Sequence, residues 1–182
     1  VIMNVKFFLV FLIVAGMLLM SCNSSKKAAS APTPATAGKI SPNARVFIKP
    51  LNIDRNELVR YAKSYLGTPY KYGSVNTSKG VDCSGFIYLV FKNFKVTPPR
   101  VSKDYTHEGM EVRLKDARPG DLILFTGSNH SSGVVGHMGI ITENKRKIKF
   151  IHSASGKNLG VMISDFEGYY KKHFVKVIRV LI

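Results

Sequence analysis

Apolar positions change their spacing three times along the chain, and each change predicts a different kind of structure. Residues 7–20 form an apolar run of 14 residues with no polar side chain in it. That is short of the roughly 20 residues a membrane-spanning helix needs and fits the h-region of an export signal. Residues 23–52 keep no period at all. A helical spacing then begins at Leu58, Val59, Ala62, Tyr65 and Leu66, opened by Asp54-Arg55-Asn56-Glu57, a capping residue with an acid three places on, and closed by Gly67. A second helix opens at Asp82-Cys83-Ser84-Gly85 and runs through Phe86, Ile87, Leu89, Val90 and Phe91 to about Phe94. It is apolar nearly all round, which predicts a central, buried helix. Short β-type runs follow at residues 122–125, 137–142, 148–152, 161–164 and 175–181, with a short helix around residues 166–172 before the last. Helices first and strands after make an α+β layout.

Composition bears on compartment and partner. The chain has 182 residues, 27 Lys and Arg against 11 Asp and Glu, a net charge of +16, two cysteines and no tryptophan. This length suits one domain, and 45% hydrophobic residues are enough for a core, which excludes wholesale disorder, a collagen-like repeat and a polytopic membrane protein. The stretch S-S-K-K-A-A-S-A-P-T-P-A-T-A-G-K holds no acidic residue and reads as a linker, so the division is a signal over residues 1–21, a tether over 22–52 and one folded domain over 53–182. The domain carries 21 basic and all 11 acidic residues, a net +10. That excess predicts an anionic partner.

Leu19-Met20-Ser21-Cys22, at the end of the apolar run, resembles the lipobox of bacterial lipoproteins. The resemblance implies that Cys22 becomes a lipidated N-terminus and that the membrane is reached through this lipid anchor. The expected location is an exported lipoprotein in the outer membrane facing the periplasm. Cys83 is then a lone thiol in a disulfide-permissive compartment, either a small buried hydrophobe or a nucleophile.

Position favours the second reading. Cys83 lies in the first turn of its helix, where unpaired N–H groups and the positive end of the dipole favour a thiolate, and the N–H groups of Cys83 and Ser84 could receive an oxyanion. His137 heads G-H-M-G-I-I and His152 ends K-F-I-H, with Glu143-Asn144-Lys145-Arg146 as the turn between them. A two-residue loop at Asn144-Lys145 would pair residue 137 directly with residue 152 and set both imidazoles on one face; a bulge would break that pairing without necessarily separating the rings. His137 would serve as the base and His152 would orient it. His107, His130 and His173 have no such arrangement and read as surface residues.

The segments L-G-T-P-Y-K-Y-G, G-V-D-C-S-G-F, P-P-R-V-S, R-P-G-D-L-I-L-F, G-H-M-G-I-I and F-I-H-S-A-S, in this order, resemble the NlpC-type cell-wall cysteine peptidases. The resemblance implies a papain-like α+β fold, with a central N-terminal helix carrying Cys83 on an antiparallel sheet that carries His137 and His152. It implies hydrolysis of peptidoglycan stem peptides, at the bond between γ-linked D-Glu and a diamino acid or at the cross-link, by Cys83, His137 and His152. On the same pattern Tyr70 lies near the oxyanion, and Asp82, Ser84, Arg100 and Ser102 bind the stem peptide. The chain departs from the pattern at Gly73-Ser74, at Pro98-Pro99-Arg100 and at Tyr105, where the family often has glutamine, so the substrate wall at Tyr105 is expected to differ. Residues 126–136, rich in Gly and Ser, read as a loop covering the cleft.

Two other functions fit parts of this pattern. Cys, His and His form a plausible zinc set for a peptidoglycan amidase, but H-E-x-x-H and C-x-x-C are absent and the helix start explains Cys83 without a metal. A non-catalytic wall-binding lipoprotein would have no use for the Cys/His/His set. No nucleic-acid recognition motif accompanies the charge. The expectation is a monomer that needs no metal or cofactor.

Overall fold

The computed structural model describes residues 50–182 apart from Lys157 and Asn158. The signal, Cys22 and nearly all of the tether lie outside the described residues.

Helix α1 (Arg55–Lys63) starts where Asp54 accepts the Glu57 N–H at 2.8 Å. A small hairpin, β1 (Val75–Asn76) and β2 (Gly80–Val81), leads into α2 (Cys83–Asn93). The α2 start is fixed by Asp82, which accepts the Gly85 N–H at 2.6 Å. Gly85 is required there: a Cβ would stand 2.3 Å from the Ser74 carbonyl oxygen, so the loop before β1 lies directly on the first helical turn.

Apart from three 3-10 turns, the remaining elements are β3 (Met110–Val112), β4 (Leu122–Thr126), β5 (Val135–Asn144), β6 (Ile148–Ser153), β7 (Val161–Asp165), α3 (Tyr169–His173) and β8 (Phe174–Arg179). The strands form one sheet in the order β3-β8-β4-β5-β6-β7 with every neighbour antiparallel. On one face Leu122, Leu124, Met138, Ile140, Ile151 and Ile178 pack with Leu58, Phe86 and Val90 of the two long helices. On the other, Ile123, Phe125, Ile141, Phe150 and Val177 are covered by Phe166, Tyr170 and Phe174. Each such side chain contributes about 1.5–3 kcal/mol by leaving water. Burial on both faces explains why β4 reads L-I-L-F rather than alternating.

The structure differs from the sequence reading where the pattern carries little signal. β3 is only three residues long, sits at a sheet edge with Glu111 exposed, and has no apolar run to announce it. β5 continues through Asn144 instead of turning at Glu143, and its register with β6 shifts between Ile141 and Glu143, from Ile140 opposite Ile151 to Asn144 opposite Ile148. The turn at residues 145–147, in place of Asn144-Lys145, moves the register by three residues and the bulge returns one, so the direct pairing expected between His137 and His152 is lost. At the other end, Leu51 donates its N–H to the Val180 carbonyl at 2.9 Å, so the domain engages a residue that composition groups with the tether.

One buried ion cluster ties the termini of the domain together. Asp121, with no exposed surface, receives Arg55 Nη1 at 2.9 Å, Arg179 Nη2 at 2.8 Å and the Arg118 N–H at 2.8 Å. Arg55 opens α1 and Arg179 ends β8. Removing the carboxylate leaves two guanidinium groups without their shared partner. Asp121→Ala is therefore expected to cost about 3–5 kcal/mol in urea denaturation. A change under about 1 kcal/mol would show that the cluster does not hold the domain together.

Candidate active site

Cys83 and the two histidines arrive from three different elements. The β5–β6 hydrogen-bonded pairing stops at Ile140, and the α2 N-terminus lies against the start of β5, at Gly136. Cys83 Sγ lies 4.0 Å from the Gly136 carbonyl, and the N–H groups of Ser84, Met138 and Cys83 itself are aimed at the sulfur. His137 is the residue between Gly136 and Met138. Sγ makes no hydrogen bond to its ring in this resting arrangement; the thiol's protein acceptor is the Gly136 carbonyl.

The two rings do meet, by a different route from the one expected. Continuing the register from Ile140 opposite Ile151 sets His152 beside Gly139, and a Cβ on Gly139 would come within 3.1 Å of the His152 Cβ. The missing side chain lets the His152 ring lean diagonally across to His137. His137 Nε2 and His152 Nδ1 stand 2.8 Å apart, with the rings edge to face at 82°. His137 Nδ1 has no hydrogen-bond partner among the described residues and is the nitrogen left for the thiol. On its far side, His152 Nε2 meets Ser164 Oγ at 3.0 Å and Tyr170 Oη at 3.2 Å. Ser153 Oγ donates to the Val81 carbonyl at 2.8 Å, tying the strand that carries His152 to the residues just before Cys83.

Burial governs the protonation of all three groups. Cys83 is buried, and desolvation together with the Asp82 charge pushes its thiol up to about 11, against the pull of the N–H groups of Ser84, Met138 and Cys83. This corrects the expectation of a helix-activated thiolate: the dipole and the N–H donors are present, but desolvation outweighs them. Burial likewise lowers His137 to about 4, and it lowers His152, fully enclosed, to about 3 with help from its neighbour His137. At neutral pH the resting site is a thiol beside two uncharged imidazoles.

The cleft over Cys83 has a volume of about 480 Å³ and is lined by Tyr70, Asp82, Ser84, Arg100, Ser102 and Gly136, among others. Every substrate residue named from the sequence therefore faces the same cavity as Cys83. Asp82 has a second task, since it also receives Arg100 Nη1 and Nη2 at 3.0 and 2.9 Å, while Ser84 Oγ takes Arg100 Nη1 at 3.1 Å. The Tyr70 hydroxyl has no hydrogen-bond partner among the described residues and is free to donate into the cleft. Val134 and Val135, at the end of the 126–136 loop, form part of the wall, and Tyr72 and Lys103 complete the rim.

Two further residues stand elsewhere than the sequence placed them. Tyr105 is not on the cleft wall: it is fully buried in the main core with its hydroxyl donating to the Pro99 carbonyl at 2.9 Å. His173 is not a surface residue: it is buried, with Nδ1 2.9 Å from Thr126 Oγ1 and its ring stacked on Tyr169. Sequence reading missed Gly139, Ser153, Ser164 and Tyr170, because only the β5–β6 and β6–β7 registers bring them to the histidines. Within one sequence the sole hint is the glycine in G-H-M-G.

Residues 67–179 match the NlpC/P60 family. The probable endopeptidase NlpC of Escherichia coli is 35% identical over 120 residues, which is 65% of this chain and 73% of that protein. The gamma-D-glutamyl-L-lysine dipeptidyl-peptidase of Bacillus subtilis is 31% identical over 124 residues, 68% of this chain but 40% of the relative's length. Among solved structures, an NlpC/P60 family protein from Bacillus cereus superposes with a TM-score of 0.64 at 26% identity, covering 72% of this chain and 42% of that one.

Alkylation of Cys83 requires the thiolate. With the thiol held at about 11, its rate of reaction with iodoacetamide is expected to keep rising about tenfold per pH unit from about pH 7 to about pH 10. A plateau beginning near about pH 7 would contradict the burial argument.

Proposed function

This chain belongs to the NlpC/P60 family, with its papain-like α+β fold, and on that premise we propose that it is a cysteine endopeptidase that cleaves the stem peptides of peptidoglycan. The observation that carries the reading is the imidazole pair at 2.8 Å beside a thiol set on a helix N-terminus. His137 Nδ1 takes the thiol proton as Cys83 Sγ attacks the amide carbonyl. The N–H groups around the sulfur and the Tyr70 hydroxyl receive the oxyanion. The same His137 proton then passes to the leaving amine, and water hydrolyses the thioester that remains on Cys83. Because the resting thiol and imidazole are both uncharged, proton transfer accompanies attack instead of preceding it.

A γ-D-glutamyl bond to a diamino acid is the favoured target, in keeping with the dipeptidyl-peptidase relative, and the cross-link is the other stem-peptide bond of this type. Arg100 and Lys103 at the cleft, and the domain's net +10, suit a substrate rich in free carboxylates. Both nitrogens of His152 already have protein partners, which leaves the pair only His137 Nδ1 to offer a zinc ion and favours the thiol mechanism over the metal one. The lipobox-like sequence ending at Cys22 supports a tethered, exported lipoprotein, and the lack of acidic residues just after Cys22 favours the outer membrane facing the periplasm; we propose that it acts there as a monomer.

Digestion of defined muropeptides, read by mass spectrometry, tests this. Wild-type protein is expected to release products cut at one stem-peptide bond, and Cys83→Ala and His137→Ala to be slower by about 10³-fold or more. His137 must be deprotonated to act as base, so kcat/KM is expected to fall on the acid side only as the pH approaches about 4, well below the ordinary imidazole range. Unchanged products from Cys83→Ala would overturn the nucleophile, and an acid limb near about pH 6.5 would overturn the desolvated, neutral base.

A further inference from the structure

His152 is fully buried, so the hydrogen-bond partners of its two nitrogens are those the protein supplies. A neutral imidazole carries one N–H, and the choice of nitrogen propagates to its neighbour. If His152 holds its proton on Nε2, Nδ1 accepts from His137 Nε2–H and His137 Nδ1 is bare, able to take a proton from Cys83. If His152 holds its proton on Nδ1, His137 Nε2 must accept it, His137 Nδ1 carries the hydrogen, and the base is lost. The productive tautomer therefore needs an acceptor at His152 Nε2.

Ser164 Oγ at 3.0 Å and Tyr170 Oη at 3.2 Å converge on that atom from β7 and α3. We propose that Ser164, backed by Tyr170, is the acceptor that holds His152 in its Nε2–H tautomer and so keeps His137 Nδ1 free as the base. Both are positioning residues acting through His152, and the proposal rests on the Cys83/His137/His152 reading above. Packing alone does not account for the two hydroxyls. Tyr170 already fills space with its ring, whose centroid is 4.8 Å from Phe150 and 5.4 Å from Phe125, and a phenylalanine would keep both contacts. Among the described residues its hydroxyl adds only the bond to His152. Ser164 Oγ has no other side-chain partner among the described residues.

The test combines kinetics with long-range 1H–15N correlation of the His152 ring in the resting full-length protein. In wild type the expected signal is the Nε2–H tautomer. Ser164→Ala is expected to lower kcat by about tenfold and the Ser164→Ala/Tyr170→Phe double variant by about 100-fold, with KM little changed and the ring signal moving to Nδ1–H. Tyr170→Phe alone is expected to cost a few-fold at most, and Ser164→Thr, which retains a hydroxyl, to restore both tautomer and turnover. The proposal is overturned by an Nδ1–H tautomer in wild type, or by a double variant whose tautomer and kcat match wild type. Failure of the underlying reading shows separately, as full turnover in His152→Ala, because the ring signal is read without substrate.

Discussion

Burial of the thiol and of His152, with His137 half-buried between them, in the seam between α2 and β5 is the constraint on which the rest of the site depends. It sets the resting protonation of all three groups, raising Cys83 to about 11 and lowering His137 to about 4. It also removes solvent as a hydrogen-bond partner for His152, so every nitrogen in the relay must be matched by a protein group. The fold meets that demand with ordinary means: a strand pairing that stops at Ile140, a glycine where a side chain would hold the rings apart, and hydroxyls from β7 and α3.

The same seam explains why so much structure converges on a few residues. Asp82 caps α2, holds Arg100 in the cleft and lies next to the thiol it helps keep protonated. Ser153 joins β6 to the residue before Asp82, and Gly85 lets the preceding loop lie on the helix start. The buried Asp121 cluster fixes α1 to the ends of the sheet against which α2 packs. A reactive group kept uncharged by burial must be held tightly, because a small opening to water changes both its charge and its partners.

Much of this was legible in the residues, and what was not has identifiable causes. Both long helices and the five longer strands follow from spacing and caps, since Asp54 and Asp82 announce their helices locally. The choice of Cys83, His137 and His152 as one group also follows, because strand parity survives a shift of two. The direct pairing of the histidines failed because the turn falls at residues 145–147 rather than Asn144-Lys145, and neither that placement nor the bulge after Ile141 leaves a mark in the apolar pattern. The thiolate expectation failed because helix position is visible in a sequence while desolvation is a property of the packed fold. His173 and Tyr105 were misplaced for the same reason: polarity suggested a surface or a wall, and tertiary contacts gave each a buried partner.

The central claim is covalent: Cys83 Sγ takes the acyl half of the stem peptide while His137 handles the proton. Rapid acid quenching during turnover, followed by mass spectrometry of the peptide containing Cys83, tests it most directly. The account predicts a transient thioester adduct on Cys83 whose mass equals the acyl fragment of the cleaved stem. Turnover at the wild-type rate by protein whose Cys83 has been fully alkylated beforehand would contradict it.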